Sequence, residues 1–261
     1  MNCLALRVCL RGHSYSPSLT FSPSFTELPR PEMDAINIIP LPGCREPFSS
    51  ISHLLGAAVF AGLAFSLVRR GSGNRWRTTS LSLMSVSSVQ LLLLSGTYHL
   101  FWPGPTREFM LRADVAAVFL LIAGSMTPVH AILFTGWSRS LPLGLVWTVA
   151  IIGIFWRMFF FDSTPGPAGI AFFLCFGWGS AITAIVLWRR YGWTFVQPAV
   201  MAGLAYTVGA IGLVFHRPIL VPGIIGPHES WHIAVLIGLG FQWRFVFQFA
   251  SGMPTAGCGH D

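Results

Sequence analysis

Between Pro47 and Phe249 the chain alternates long, almost uncharged apolar runs with short polar breaks. Each run approaches the ~20 residues that carry a helix across a bilayer. They predict seven transmembrane helices, at residues 47–68, 78–101, 114–134, 141–161, 169–188, 198–215 and 228–249. Arg69 and Arg70 close the first run, Trp102-Pro103-Gly104-Pro105 the second, and Arg189 with Arg190 the fifth. The fourth crosses only if Arg157 snorkels to the interface. Trp76, Trp102, Trp137, Trp188 and Trp193 fall at predicted ends, where interfacial belts form. Gly56, Gly62, Gly209 and Gly212 leave room for neighbouring helices to approach closely. The expected fold is all-α, a seven-transmembrane-helix bundle over residues 46–250, with a short tail at 251–261.

Composition points to the lipid bilayer as partner. Of 261 residues, 53% are hydrophobic and 10% charged, where a soluble domain carries about 25% charged. The net charge of +7 comes from sixteen arginines and no lysine, against nine acids. Most of these arginines stand between apolar runs, so they read as interfacial anchors and not as a nucleic-acid patch. Five cysteines, at 3, 9, 44, 175 and 258, form no CxxC pair and an odd count. Neither a disulfide framework nor a thiolate zinc site is suggested.

Residues 1–45 read differently from the rest. The stretch 14–31 is rich in Ser and Pro without a helical period, which predicts disorder. Residues 1–12, interrupted by Arg7 and Arg11, are a poor match to a signal peptide. Met33 is an alternative start, and the chain from there is expected to insert like the full length.

Against this apolar background the polar residues stand out. In Gly226-Pro227-His228-Glu229-Ser230-Trp231-His232, Pro227 suits the start of the last helix. His228 and His232 are then one turn apart on one face, the spacing a tetrahedral metal needs from two ligands on one helix. Helix parity finds their partners. The second helix ends on the side where the third begins and the last enters. Ser95-x3-His99 closes the second and Asp114 opens the third, so His99, Asp114, His228 and His232 can meet near one membrane face. Three histidines with an open fourth position form the ligand set of a catalytic zinc. Asp114 suits proton transfer there, and Ser95 can bond Asp114 or a reacting carbonyl oxygen. The blander readings are an ion pair of Asp114 with Arg112 or Arg107, and a Ser95 bonded to its own backbone.

These residues resemble the hemolysin III and progestin/adipoQ receptor (PAQR) family, part of a superfamily of seven-helix membrane hydrolases that includes the alkaline ceramidases. The resemblance extends to Glu46, to Ser52-His53-Leu54-Leu55-Gly56 and to Gly124-Ser125-Met126-Thr127-Pro128. It covers about residues 45–250. It implies Zn2+ held by His99, His228 and His232, with Asp114 and Ser95 beside it as catalytic residues. It also implies a cytoplasmic N-terminus, with the site near the cytoplasmic leaflet of the cell membrane. The arginine distribution, eight against five once the tail is set aside, favours the opposite orientation; the resemblance outweighs it.

Glu229 departs from the family pattern by creating His-Glu-x-x-His, the signature of zincins. Its place in a first helical turn favours a carboxylate near interfacial water without catalysis. His53 with Glu46 belongs to the same layer, and His53 reads as an interfacial tip. His216 marks a loop boundary, His130 lies at the opposite interface, and His13 and His260 lie in tails. The leading expectation is a zinc-dependent hydrolase of lipid amides or esters. The alternatives are a ligand-responsive receptor or pore former with structural zinc, and an intramembrane metalloprotease using Glu229.

Overall fold

The computed structural model describes residues 38–163 and 166–254. The expectations for residues 1–37 and for the end of the chain, His13 and His260 included, lie outside the described residues. Helices α1 (Pro47–Arg70), α2 (Arg75–Leu100), α3 (Pro105–Leu133) and α4 (Trp137–Phe159) lead, through a short 3-10 turn, to α5 (Gly166–Trp178) and α6 (Ala181–Tyr191). Helices α7 (Trp193–Val214) and α8 (Pro227–Phe247) complete the bundle. No strand is present among the described residues.

Six stretches are long and apolar enough to cross a membrane: α1, α2, α3, α4, α7 and the 24-residue stretch Ala168–Tyr191. The seventh expected crossing is α8, 21 residues long. His228, Glu229, His232, Gln242 and Arg244 lower its hydropathy. The outer faces are apolar: Leu55, Val59 and Leu63 of α1 and Ile152, Phe155 and Phe159 of α4 are exposed. So much continuous apolar surface needs lipid to cover it.

Several boundaries differ from the sequence reading: α4 starts at Trp137 and α7 at Trp193, ahead of the expected 141 and 198. Helix α3 starts nine residues before the expected 114, because Pro105 follows Gly104 at the first helical position and the polar turns after it are good helix formers. Asp114 therefore sits inside a helix, not at its start. The fifth crossing breaks at Gly179-Ser180, which a hydropathy window does not register; the Ser180 hydroxyl donates to the Gly177 carbonyl at 2.7 Å. Finally, residues 38–45, assigned to the tail by sequence, are structured. A turn pairs Leu41 with Cys44, using Gly43 at φ 79°, and the Ile39 amide donates to the Gly223 carbonyl at 2.8 Å.

Helix α2 packs between α1 and α3. It buries Ser80, Ser85, Ser87, Ser88, Ser95 and Gly96, small residues that let neighbours approach. Ser85 and Ser88 donate to carbonyls one turn back, and Ser88 also accepts from the Trp243 indole of α8 at 3.1 Å. A Cβ at Gly124 of α3 would lie 2.1 Å from the Ser87 hydroxyl oxygen and 2.8 Å from its Cβ. Gly124→Val is therefore expected to force α3 off α2 and cost about 1–3 kcal/mol or more. Gly144→Ala, with nothing within 4 Å, should be neutral. Thermal unfolding of both variants in mild detergent checks this.

Candidate metal centre

Chain entry and helix ends build the centre. The Glu46 amide donates to the His99 carbonyl at 3.1 Å, and the Arg45 amide to that of Leu100 at 3.4 Å, strapping the start of α1 to the end of α2. Glu46 and His53 are seven residues apart, nearly two turns, so both face the bundle. At the start of α8 the Gly226 amide donates to the Glu229 carboxylate at 3.1 Å, closing the first turn and setting His228 and His232 inward.

The ligand nitrogens of His99, His228 and His232 all lie within 4.8 Å of one another, a group able to hold a metal ion. The Nε2 atoms of His99 and His228 are 3.4 Å apart, and those of His228 and His232 are 3.0 Å apart. Each of two rings is held by its far nitrogen. His99 Nδ1 bonds the Glu46 carboxylate, and Arg107 secures the other Glu46 oxygen at 2.5 Å. His232 Nδ1 meets His53 Nε2 at 2.8 Å. Such outer partners orient metal-binding imidazoles and leave Nε2 bare for the ion. Burial pushes the Glu46 carboxyl up, but the hydrogen bond to His99 and the guanidinium of Arg107 outweigh it. Its pKa falls from 4.5 to about 2, so it stays ionised.

His53 is thus not an interfacial tip: it is 2% exposed and packs on His232 with ring centroids 4.0 Å apart. Glu229 is likewise buried, at 2% exposure, and not in interfacial water. Its second oxygen accepts from the Ser49 hydroxyl at 3.0 Å, so both oxygens serve the helix start and α1. Asp114 makes no ion pair among the described residues: Arg107 goes to Glu46, and Arg112 leans on Asp162 at 3.4 Å. Its polar neighbour is Ser95, buried one turn before His99. His216 lies exposed on the rim. His130 is buried at the other end, 3.2 Å from the Thr183 hydroxyl, where the sequence reading put an interface. The direction of α1's inner face and the Ser49 partner of Glu229 were missing from the sequence; for the first, Glu46 and His53 at a seven-residue spacing were the available signal.

Two cavities flank the layer. One of about 430 Å³ lies on the side of the chain entry, lined by Arg45, Glu46, Tyr98, Arg107, His216 and His228. The other, about 380 Å³, lies within the bundle and is apolar, lined by Leu121, Phe173, Tyr206, Trp231 and Leu239 among others. On α8, His228 lines the first cavity, the vestibule, and Trp231, three residues on, lines the second, the chamber.

Fold and site together define a multi-pass helical membrane protein with a three-histidine group able to hold a metal ion. The chain belongs to the haemolysin-III-related family, whose model matches residues 44–243. It is similar to hemolysin-3 of Bacillus cereus, at 25% identity over 214 residues, 81% of this chain and 94% of that protein. It is also similar to a hemolysin-3 homolog of Bacillus subtilis (strain 168), at 26% over 212 residues, 80% of this chain and 96% of the relative. An uncharacterized protein of Schizosaccharomyces pombe matches at 26% over 238 residues, 82% of this chain and 53% of its own length.

The outer partners give a graded expectation. Glu46→Gln and His53→Ala should each weaken metal affinity about 10–100-fold without abolishing binding. Titration of the apo protein against a competing chelator measures it.

Proposed function

We propose that this protein is a zinc-dependent integral membrane hydrolase acting on lipid amides or esters. The carrying observation is the convergence of three imidazoles, His99, His228 and His232, whose ligand nitrogens lie within 4.8 Å of one another, with His228 lining a cavity that Glu46 and Arg107 also line. The donor set fits zinc. Two nitrogens held tetrahedrally at about 2.0–2.1 Å stand about 3.3 Å apart, and the observed separations of 3.0 and 3.4 Å lie on either side of that value. Neutral imidazoles without thiolates or further carboxylates suit zinc better than calcium or magnesium.

Bound there, zinc supplies Lewis acidity toward a carbonyl oxygen and acidifies water toward a pKa of about 7. His99, His228 and His232 hold it, while Glu46 and His53 fix two of the rings. Asp114 takes a proton from water as the new C–O bond forms, and returns it to the leaving nitrogen or oxygen as the old bond breaks. Ser95 donates to Asp114 or to the reacting carbonyl oxygen. The vestibule admits water, and the chamber accepts the acyl chain. In this reading the N-terminus and the centre face the cytoplasm across the cell membrane.

The test is hydrolysis of a panel of acyl amides and esters by purified protein in lipid, before and after chelation. Chelator-sensitive release of fatty acid that zinc restores supports the reading. Its absence with stoichiometric zinc bound favours the second reading, a receptor or a pore former like the hemolysins its relatives are named for, with the metal structural. Against the metalloprotease reading, both Glu229 oxygens already accept hydrogen bonds, from Gly226 and Ser49.

A further inference from the structure

Away from the histidines, two guanidinium groups crowd one phenylalanine where α4 ends and α5 begins. Arg157 lies over the Phe161 ring at 4.4 Å and Arg112 of α3 at 5.8 Å. Arg157 is 9% exposed, so it does not snorkel outward as the sequence suggests. Its Nε and Nη1 are buried without a hydrogen-bond partner among the described residues. Stacking on Phe161 engages the flat face of the guanidinium and leaves its in-plane N–H groups unused. Those groups are costly to leave unpaired in a low-dielectric setting.

The surroundings add positive charge. A Cβ placed on Gly169, in the first turn of the 13-residue α5, would lie 3.9 Å from Arg157 Nη2 and 4.0 Å from Nη1. The guanidinium thus lies beside the first turn of α5. The nearby acid is Asp162, whose side chain is 86% exposed and reaches Arg112 at a long 3.4 Å. Arg112 also donates to the Met158 carbonyl at 3.4 Å. Two cations face one solvated carboxylate.

We infer that Arg157 and Arg112 form a site for a phosphate group. The paired N–H edges of arginine match phosphate oxygens, and basic pockets between transmembrane helices take anionic headgroups. The phosphate comes from an anionic phospholipid or from free phosphate in solution. The site stands apart from the metal centre and does not rest on the hydrolase reading.

The experiment uses the full chain in neutral detergent, with thermal unfolding followed during titration by phosphatidic acid, phosphatidylcholine or inorganic phosphate. Phosphatidic acid is expected to raise the midpoint of the wild type, with affinity at least about tenfold weaker in Arg157→Gln and phosphatidylcholine inactive. An Arg157-dependent rise with inorganic phosphate alone assigns the site to the soluble anion. Equal responses of wild type and Arg157→Gln overturn the inference. Should Arg157→Gln fail to fold, Arg157→Lys and Arg112→Gln decide: either must lose most of the response, and unchanged binding in both overturns it. Metal content, measured alongside, should not change.

Discussion

His232→Ala protein, purified without chelator, is expected to retain about a tenth or less of the metal held by wild type. His232 is one of three nitrogen donors, and two imidazoles leave too few contacts to hold a tetrahedral ion tightly. The loss goes beyond one ligand. His232 is buried and its far nitrogen meets His53 at 2.8 Å, so the truncation also strands a second buried imidazole. His99→Ala should behave alike, freeing the Glu46 carboxylate from its partner. His216→Ala is the control, since that ring is exposed and outside the three-histidine group. Elemental analysis of the purified variants reads the result. Equal metal in wild type and His232→Ala would remove the centre from the site, whatever else the protein binds.

Asp114→Asn is expected to abolish hydrolysis of a lipid amide or ester, by at least about 100-fold, with zinc retained. Glu229→Gln should change the rate by less than a few-fold. The two carboxylates differ in what they touch. Asp114 has a hydroxyl, Ser95, as its neighbour and no cation within ion-pair distance among the described residues, so it is free to exchange a proton. Glu229 spends one oxygen on the Gly226 amide and the other on Ser49. Glutamine can keep one of those bonds, at a cost of about 1 kcal/mol in stability and little in chemistry. Zinc must be measured in both variants, because metal loss would imitate loss of the base. The opposite pattern, with Glu229→Gln inactive and Asp114→Asn active, moves the base to Glu229.

Much of this was legible in the sequence, and the reasons differ from residue to residue. The grouping of His99 with His228 and His232 followed from counting crossings, because each crossing reverses the side on which the chain emerges. That reasoning fixes depth but not rotation. A helix with lipid on one face and protein on the other is apolar all round, so no amphipathic stripe announces its inner face. His53 looked interfacial for that reason, although it faces His232. Glu229 was misplaced in water because its depth was right and its partner, Ser49 of another helix, was not visible. The early start of α3 escaped notice because hydropathy falls at the headgroups while helical hydrogen bonding continues through them. The break at Gly179-Ser180 was hidden by the apolar residues around it.

The centre draws its histidines from the second helix and from the last, and His228 follows His99 by 129 residues in the chain. During synthesis His99 enters the membrane long before His228 and His232 have been translated. A chain cut short anywhere before α8 still carries most of its apolar helices, so hydropathy alone would not mark it as unfinished. It lacks two of the three nitrogen donors. A metal held at this place would clasp α8 to α2, and would tell a chain that has reached α8 from one cut short before it.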